Sequence, residues 1–364
     1  MAVSQIAAGV EVGMLPLPTA QMGEPIKLPG SCWLQGPQRI QRNPWFVSRE
    51  WISRIKSEFG APDIVHFHTI YIPFNSALAR RCREVGWPYV VTAHGGLSKT
   101  VQKVSAVKKN LANFLCFRSY LRHAAAIHAL CENEAKDILA DFDVKKVFVV
   151  PNGIDEHLLD ASKTLKPAYL GDFGKECDLI LGFVGRIDIY HKGIDILLQA
   201  MGVLKSQSVG LKWKLFMIGS FRGKKDEQFF CSTIRSLGLE NEVIFLGPRY
   251  GEEKLRYMRA FDIFVHTSRY EGMPMTVLEA MALGLPCLVT PATNMADVVS
   301  EAGGWVAEGQ PDAIAKAIQE IYNSRASLPA IGKNTQNLAC LRFDWHTIAR
   351  QLKNEYTIIC NDRT

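Results

Sequence analysis

The chain has 364 residues, 48% hydrophobic, 21% charged and 10% aromatic, a composition that excludes extended disorder. Nine cysteines stand singly without a C-x-x-C pair, which excludes a disulfide framework and fits reduced core thiols in a cytoplasmic setting. No stretch reaches the ~20 uninterrupted apolar residues of a spanning helix, and the first residues, with Glu11 and no basic leader, make a poor export signal. The net charge of +6 is uneven: residues 1–170 hold 20 Lys and Arg against 14 Asp and Glu, the remainder 22 against 22. In chain order, a helical stretch at 1–8 ends at Gly9, and strands are expected at 10–15, 64–68, 89–92, 126–129 and 147–150. A second series follows at 179–184, 214–218, 242–245, 263–266 and 286–290, with helices at 195–203, 252–260 and 275–282. Strands alternating with helices predict two doubly wound α/β halves. PNGID (151–155) marks the joint between residues 1–155 and 156–342. A doubly wound half normally opens on a strand, a Gly-rich turn and a helix; none is evident before residue 10.

Four stretches carry candidate chemistry. In EGMPMTVLE (271–279), Pro274 suits the first position of a helix. The amides of Met275, Thr276 and Val277 then form a seat for phosphate. Glu279, a turn into that helix, can accept from a ribose diol, and Glu271 from sugar hydroxyls. A surface helix with an acidic loop is the plainer reading, which the strand–loop–helix context outweighs. In FVGRIDIYHKGIDILLQA (183–200), Arg186 and Lys192 flank a loop after a strand. They are either ordinary surface charge or a diphosphate clamp that requires no metal.

His94, in TAHGGLS, stands at a strand end before two glycines, where it is either structural or a donor to a sugar hydroxyl. His66 and His68 share a strand face without a third ligand and read as core or strand-end groups, and Asp141 and Asp143 as solvated loop acids. From Gly95 to Cys131 there is no acidic residue but six cations, Lys99, Lys103, Lys108, Lys109, Arg118 and Arg122. The apolar residues between them (Val101, Val104, Val107, Leu111, Phe114, Leu115, Leu121) recur at helical spacing. The block is either a domain helix with its lysines in water or a basic amphipathic helix on an anionic membrane. Without a reader motif, nucleic acid is not an expected partner.

EGMPMTVLEA, the FVGRIDIYHKGIDILL segment, PNGID, HGGLS, FLGP (245–248) and SEAGGWV (300–306) together resemble a family 4 glycosyltransferase of the GT-B fold, two Rossmann-like domains facing a cleft. The resemblance covers nearly the whole chain from Val10, and its E-x7-E pattern is the most diagnostic feature. It implies a retaining hexosyltransferase that uses a nucleotide-diphosphate sugar; the family includes many donors, and the donor expected here is UDP-glucose or a similar UDP-hexose before GDP-mannose, with no metal required. Glu279 would match the ribose-binding carboxylate and Glu271 the group on the donor sugar, with the backbone of Gly272, Met273, Pro274, Met275 and Thr276 around sugar and phosphates. Arg186 and Lys192 would match the diphosphate cations, the Arg249 backbone the contact to the base, and His94 the histidine near the reacting centre. The final helix, about 343–364, would cross back to the first domain. The implied acceptor is a saccharide or lipid-linked sugar in polysaccharide or envelope assembly, with peripheral contact at the inner membrane face through the 99–122 region. The family's opening strand and Gly-rich loop have no counterpart here. Rival readings are a non-catalytic nucleotide-sugar-binding partner of another transferase and a GT-B-fold sugar-nucleotide epimerase.

Overall fold

A computed structural model describes residues 1–15, 32–33, 46–103, 109, 112–155, 158–160, 164–170, 177–207 and 210–362, with backbone only at 32, 33, 114 and 115. The chain forms two compact units: Met1–Gly153 with Trp345–Thr364, and Ile154–Asp344.

In the first unit, strands β1 (Gly13–Met14) and β2 (Cys32–Trp33) pair with each other in a two-stranded ribbon. The strand expected over residues 10–15 is thus two residues long and lies outside the main sheet, its apolar alternation interrupted by Glu11 and Gly13. The main sheet runs β3 (Val65–His68), β4 (Tyr89–Thr92), β5 (Ala126–Ala129) and β6 (Val147–Val149), all parallel and adjacent in chain order. Val90, Ala126, Phe148 and Val150 meet Ile348, Leu352 and Ile359 of the last helix, Trp345–Asn361. The same helix ties down the first: Lys353 Nζ donates to the Ala8 carbonyl at 2.8 Å.

The basic block is not one continuous helix in the described residues. It comprises a helix at Lys99–Lys103, a π-helical turn at Asn113–Phe117 and a helix at Arg118–Arg122; Val104, Val107, Lys108 and Leu111 lie outside the description. Nor is it acid-free in space, because acids from a later helix and loop reach it. Arg122 pairs with Asp143 at 2.9 Å and Lys99 with Asp137 at 3.9 Å.

The second unit carries a six-stranded parallel sheet in the order β9-β8-β7-β10-β11-β12. Its members are β7 (Leu179–Val184), β8 (Trp213–Ile218), β9 (Val243–Gly247), β10 (Ile263–His266), β11 (Cys287–Val289) and β12 (Trp305–Val306). Helices cover both faces, which is why these strands read as near-continuous apolar runs rather than alternating ones. Leu179, Leu181 and Phe183 pack with Leu197, Leu198 and Met201 of the helix Ile194–Gln207 and with Ile314 and Ile318 of the helix Pro311–Asn323. Burying each such side chain stabilises the fold by about 1.5–3 kcal/mol. Strand β12 is short and half-exposed, too brief for a periodic signal in the sequence.

Candidate functional site

Counted in chain order, the second unit's strands are arranged 3-2-1-4-5-6, so the order reverses between β7 and β10. Loops leaving adjacent strands at such a point diverge and open a crevice at their carboxyl ends, where doubly wound sheets bind ligands. The loop after β7 carries Arg186 and Lys192, and the loop after β10 carries Glu271.

Two close approaches fix these loops. A Cβ on Gly219 would lie 1.8 Å from the Gly185 carbonyl oxygen, so the turns after β7 and β8 touch through backbone. Ile187 N then donates to Ser220 O at 2.9 Å, and Arg222 N to Ile187 O at 3.0 Å. Gly193, at φ +61°, has the Thr267 carbonyl oxygen where a Cβ would stand, at 2.1 Å, a position only glycine fills. That contact brings Lys192 against the loop after β10. Between the loops, buried Asp188 accepts from His191 N at 3.1 Å and holds two guanidinium groups, Arg222 at 3.3 Å and Arg186 at 3.6 Å. Both arginine side chains stay more than half exposed, 53% for Arg186 and 65% for Arg222. Arg222 lies outside the quoted sequence stretches, and Asp188, though inside the 183–200 stretch, carries no local sign that it would gather two guanidinium groups.

Glu271 and Lys192 form an ion pair, only 11% and 14% exposed. The Glu271 Oε1 atom accepts from Lys192 Nζ, from Ser268 Oγ at 2.8 Å and from His266 Nε2 at 3.2 Å. Burial alone would raise the Glu271 carboxyl, but His266 and Lys192 more than offset it and hold it at about 2. The loop behind Glu271 is pinned by Asn294, whose amide donates to Glu271 O at 2.7 Å and Gly272 O at 3.3 Å. Gly272, Met273 and Pro274 are buried, so they shape the loop rather than offer side chains.

Pro274 caps the helix Met275–Ala282 rather than occupying its first turn: its φ of −72° suits a helix, but its ψ of 116° is extended. In consequence the Val277 amide donates to Pro274 O at 3.1 Å and drops out of the proposed phosphate seat. The Met275 and Thr276 amides, with no acceptor among the described residues, remain at the positive end of the helix dipole. Glu279 receives Lys254 Nζ on both oxygens, at 2.8 and 2.7 Å. Lys254, from the helix Gly251–Met258, is a second unforeseen neighbour. Arg249 follows β9, with its side chain turned back to Glu253 at 3.0 Å and to its neighbour's carbonyl, Pro248 O, at 3.0 Å.

His94 lies in the first unit, after β4, in the left-handed region at φ 51° and open to solvent. Buried Glu134 fixes its loop, accepting from Gly95 N at 2.6 Å and Leu130 N at 2.8 Å. The His94 ring stacks on His68, with their nitrogens 3.0 Å apart, and His68 stacks on His66. His66 heads a second chain of polar contacts. The Val150 carbonyl only accepts, so His128 Nε2 donates to it at 2.7 Å. Thr92 Oγ1 then donates to His128 Nδ1 at 2.8 Å, His66 Nε2 to Thr92 at 2.6 Å, and Tyr356 Oη to His66 Nδ1 at 2.6 Å. Burial lowers His66 well below the ordinary histidine range and His68 and His128 to about 4, so these rings are neutral near pH 7. Among the described residues no cluster of three or more His, Cys, Asp or Glu could hold a metal, and no helix is long and apolar enough to cross a membrane.

Known proteins resemble this chain in sequence and in fold. A mannosyltransferase of Komagataeibacter xylinus, named as using GDP-mannose and cellobiosyl-diphosphopolyprenol, is 22% identical across 96% of this chain and 84% of its own. Sucrose-phosphate synthase from Thermosynechococcus elongatus superposes with a TM-score of 0.74 at 21% identity, over 98% of this chain and 90% of that one. The Anabaena HepE protein in complex with UDP-glucose gives 0.66 at 23%, over 85% and 81%. Residues 2–158 match the model of glycosyltransferase family 4, and residues 172–338 that of the group 1 glycosyl transferases. The chain therefore belongs to the family 4, group 1 glycosyltransferases, enzymes of the GT-B fold.

Proposed function

We propose that the enzyme transfers a hexosyl group, with retention, from a UDP-hexose such as UDP-glucose to a saccharide or lipid-linked acceptor in polysaccharide or envelope assembly. The observation that carries this reading lies in the second unit. At the reversal of strand order, Arg186, Lys192 and the amino end of the helix Met275–Ala282 stand around the loop that holds Glu271. The bond from the sugar's anomeric carbon to the diphosphate oxygen breaks, and negative charge grows on the departing nucleoside diphosphate. Arg186, Lys192 and the Met275 and Thr276 amides offset that charge, each fixed donor contributing on the scale of ~2.7–4 kcal/mol. The acceptor oxygen bonds to the anomeric carbon on the vacated side, and its proton passes to a phosphate oxygen. With cations already in place, the reading assigns the reaction no metal.

Glu279 is assigned to the ribose hydroxyls: each oxygen already takes the Lys254 ammonium and keeps a lone pair for a hydroxyl. Glu271 is assigned to the sugar, the Gly272–Thr276 backbone to sugar and phosphates, the Arg249 backbone to the base, and His94 to the neighbourhood of the reacting carbon. Support for a uracil donor comes from the HepE complex with UDP-glucose; support for a lipid-diphosphate acceptor comes from the mannosyltransferase's name. The exposed cations of the 99–122 region suit the inner membrane face.

Calorimetric titration with UDP, GDP and UDP-glucose, with and without EDTA, tests the reading. UDP binding unaffected by EDTA and matched or strengthened by the glucose moiety supports it. Preference for GDP overturns the donor assignment, loss of binding in EDTA overturns metal independence, and acceptor-free conversion of the UDP-hexose replaces transfer with epimerisation.

A further inference from the structure

We infer that His266 and Ser268 are positioning residues that orient Glu271, so that its Oε2 atom accepts a hydroxyl of the donor sugar; this rests on the assignment of Glu271 above. All the donors that reach this carboxylate among the described residues converge on one atom, Oε1. Lys192 neutralises the charge, but an ammonium is a rotatable point charge that cannot select an oxygen. Selection needs donors fixed in direction, and the imidazole and hydroxyl provide them.

The proton on His266 follows from its partners. Ser268 Oγ spends its hydrogen on Glu271 Oε1 at 2.8 Å, so towards His266 Nε2, 3.0 Å away, the serine oxygen can only accept. The carboxylate also only accepts, and therefore Nε2 carries the hydrogen. The ring lies parallel to Phe183 at 5.9 Å and to Phe264 at 6.2 Å, and buried Nδ1 has no partner. Burial lowers the ring's proton affinity, so Nδ1 holds a bare lone pair against apolar surroundings.

An orphaned buried acceptor costs about 1–3 kcal/mol. The rest of β10, Ile263, Phe264 and Val265, is apolar and buried, and an aliphatic residue at 266 would avoid that cost. What the histidine supplies in exchange is a rigid donor aimed at Oε1, which leaves Oε2 for a ligand. Binding groups are held this way by neighbours whose own orientations are locked.

The test compares His266→Leu with His266→Gln, whose amide N–H can stand where Nε2–H stands. Each is titrated with UDP and UDP-glucose, or with GDP and GDP-mannose if guanine proves to be the base. The readout is the ratio of the two affinities, because general damage to the site weakens both ligands. His266→Leu is expected to leave UDP affinity within about twofold and to reduce the sugar's added affinity about tenfold, with His266→Gln restoring most of it. An unchanged ratio in His266→Leu overturns the inference. Should that variant fail to fold, Ser268→Ala carries the same comparison with a smaller loss, and an unchanged ratio there is equally decisive. Glu271→Ala separates the two failures: if it leaves the ratio unchanged the sugar assignment itself is wrong, and if it alone changes the ratio only the positioning role is wrong.

Discussion

The carboxyl ends of the two parallel sheets are furnished in opposite ways. In the second unit they carry charges in pairs, Glu271 with Lys192, Glu279 with Lys254, and Asp188 with Arg186 and Arg222. In the first they carry neutral imidazoles and hydroxyls, His66, Thr92 and His128 in one chain and His68 against His94 beside it. Paired charges suit a substrate that arrives and leaves as an anion. Neutral rings are silent in charge near pH 7 and respond instead to acid. Two parallel sheets thus present one end built of paired charges and another built of neutral rings that is sensitive to acid.

Acidification should therefore break the molecule at the first unit before the second. His68 and His128 titrate near 4 when folded and about 6.5 when unfolded, so the unfolded chain binds more protons between those values. The first unit loses stability as pH falls from about 6.5 towards 4, by about 2 kcal/mol per histidine at pH 5. Glu271 has the opposite origin but the same sign in a lower window: its depressed carboxyl stabilises above about 4.5 and that gain is lost towards 2. Denaturant melts from pH 7 to 4, followed by Tyr356 fluorescence against a Tyr356→Phe control, should show the first unit weakening while UDP affinity holds. Simultaneous loss would erase the distinction.

Smaller effects sharpen it. Lys192→Ala removes a charged donor to the diphosphate, so UDP and UDP-glucose should both bind about a hundredfold more weakly, on the scale of ~2.7–4 kcal/mol for one such donor. Glu271→Ala should lower turnover with the donor about a hundredfold while UDP affinity changes little, as expected for a contact made to the transferred group. Glu279→Ala should weaken UDP about tenfold, and 2′-deoxy-UDP less, because only the ribose diol uses that carboxylate. Smallest of all, Asp143→Ala should shift stability by less than about 0.5 kcal/mol, since its pair with Arg122 is exposed.

The sequence displayed the sheet of the second unit well because its strands are apolar runs, and among the described residues every strand longer than two residues falls on an expected one. The helix beginning at Met275 and the loop positions of Arg186, Lys192 and Glu271 were legible for the same reason. Contacts between elements were not. Lys254 reaches Glu279 from 25 residues away, and Lys192 reaches Glu271 across 79. His266 looked like the last residue of a strand, since nothing in local periodicity records which oxygen a ring nitrogen faces. Pro274 shows the finer limit: its ring suits the first turn of a helix or the cap before it, and only ψ decides, with the Val277 amide lost as a result.

The helix Trp345–Asn361 belongs to the first unit although it follows the whole of the second in the chain. During synthesis, at about 5–20 residues per second, the second unit is complete in sequence before the first. Until residue 356 emerges, His66 has no tyrosine hydroxyl at Nδ1, and Val90, Phe148 and Val150 have no Ile348 or Leu352 to cover them. The first half to be translated is thus the last to close, with an apolar sheet face waiting on roughly 190 further residues. A chain ended at residue 344 should hold a finished second unit and an unfinished first, the state in which a chaperone would find its surface.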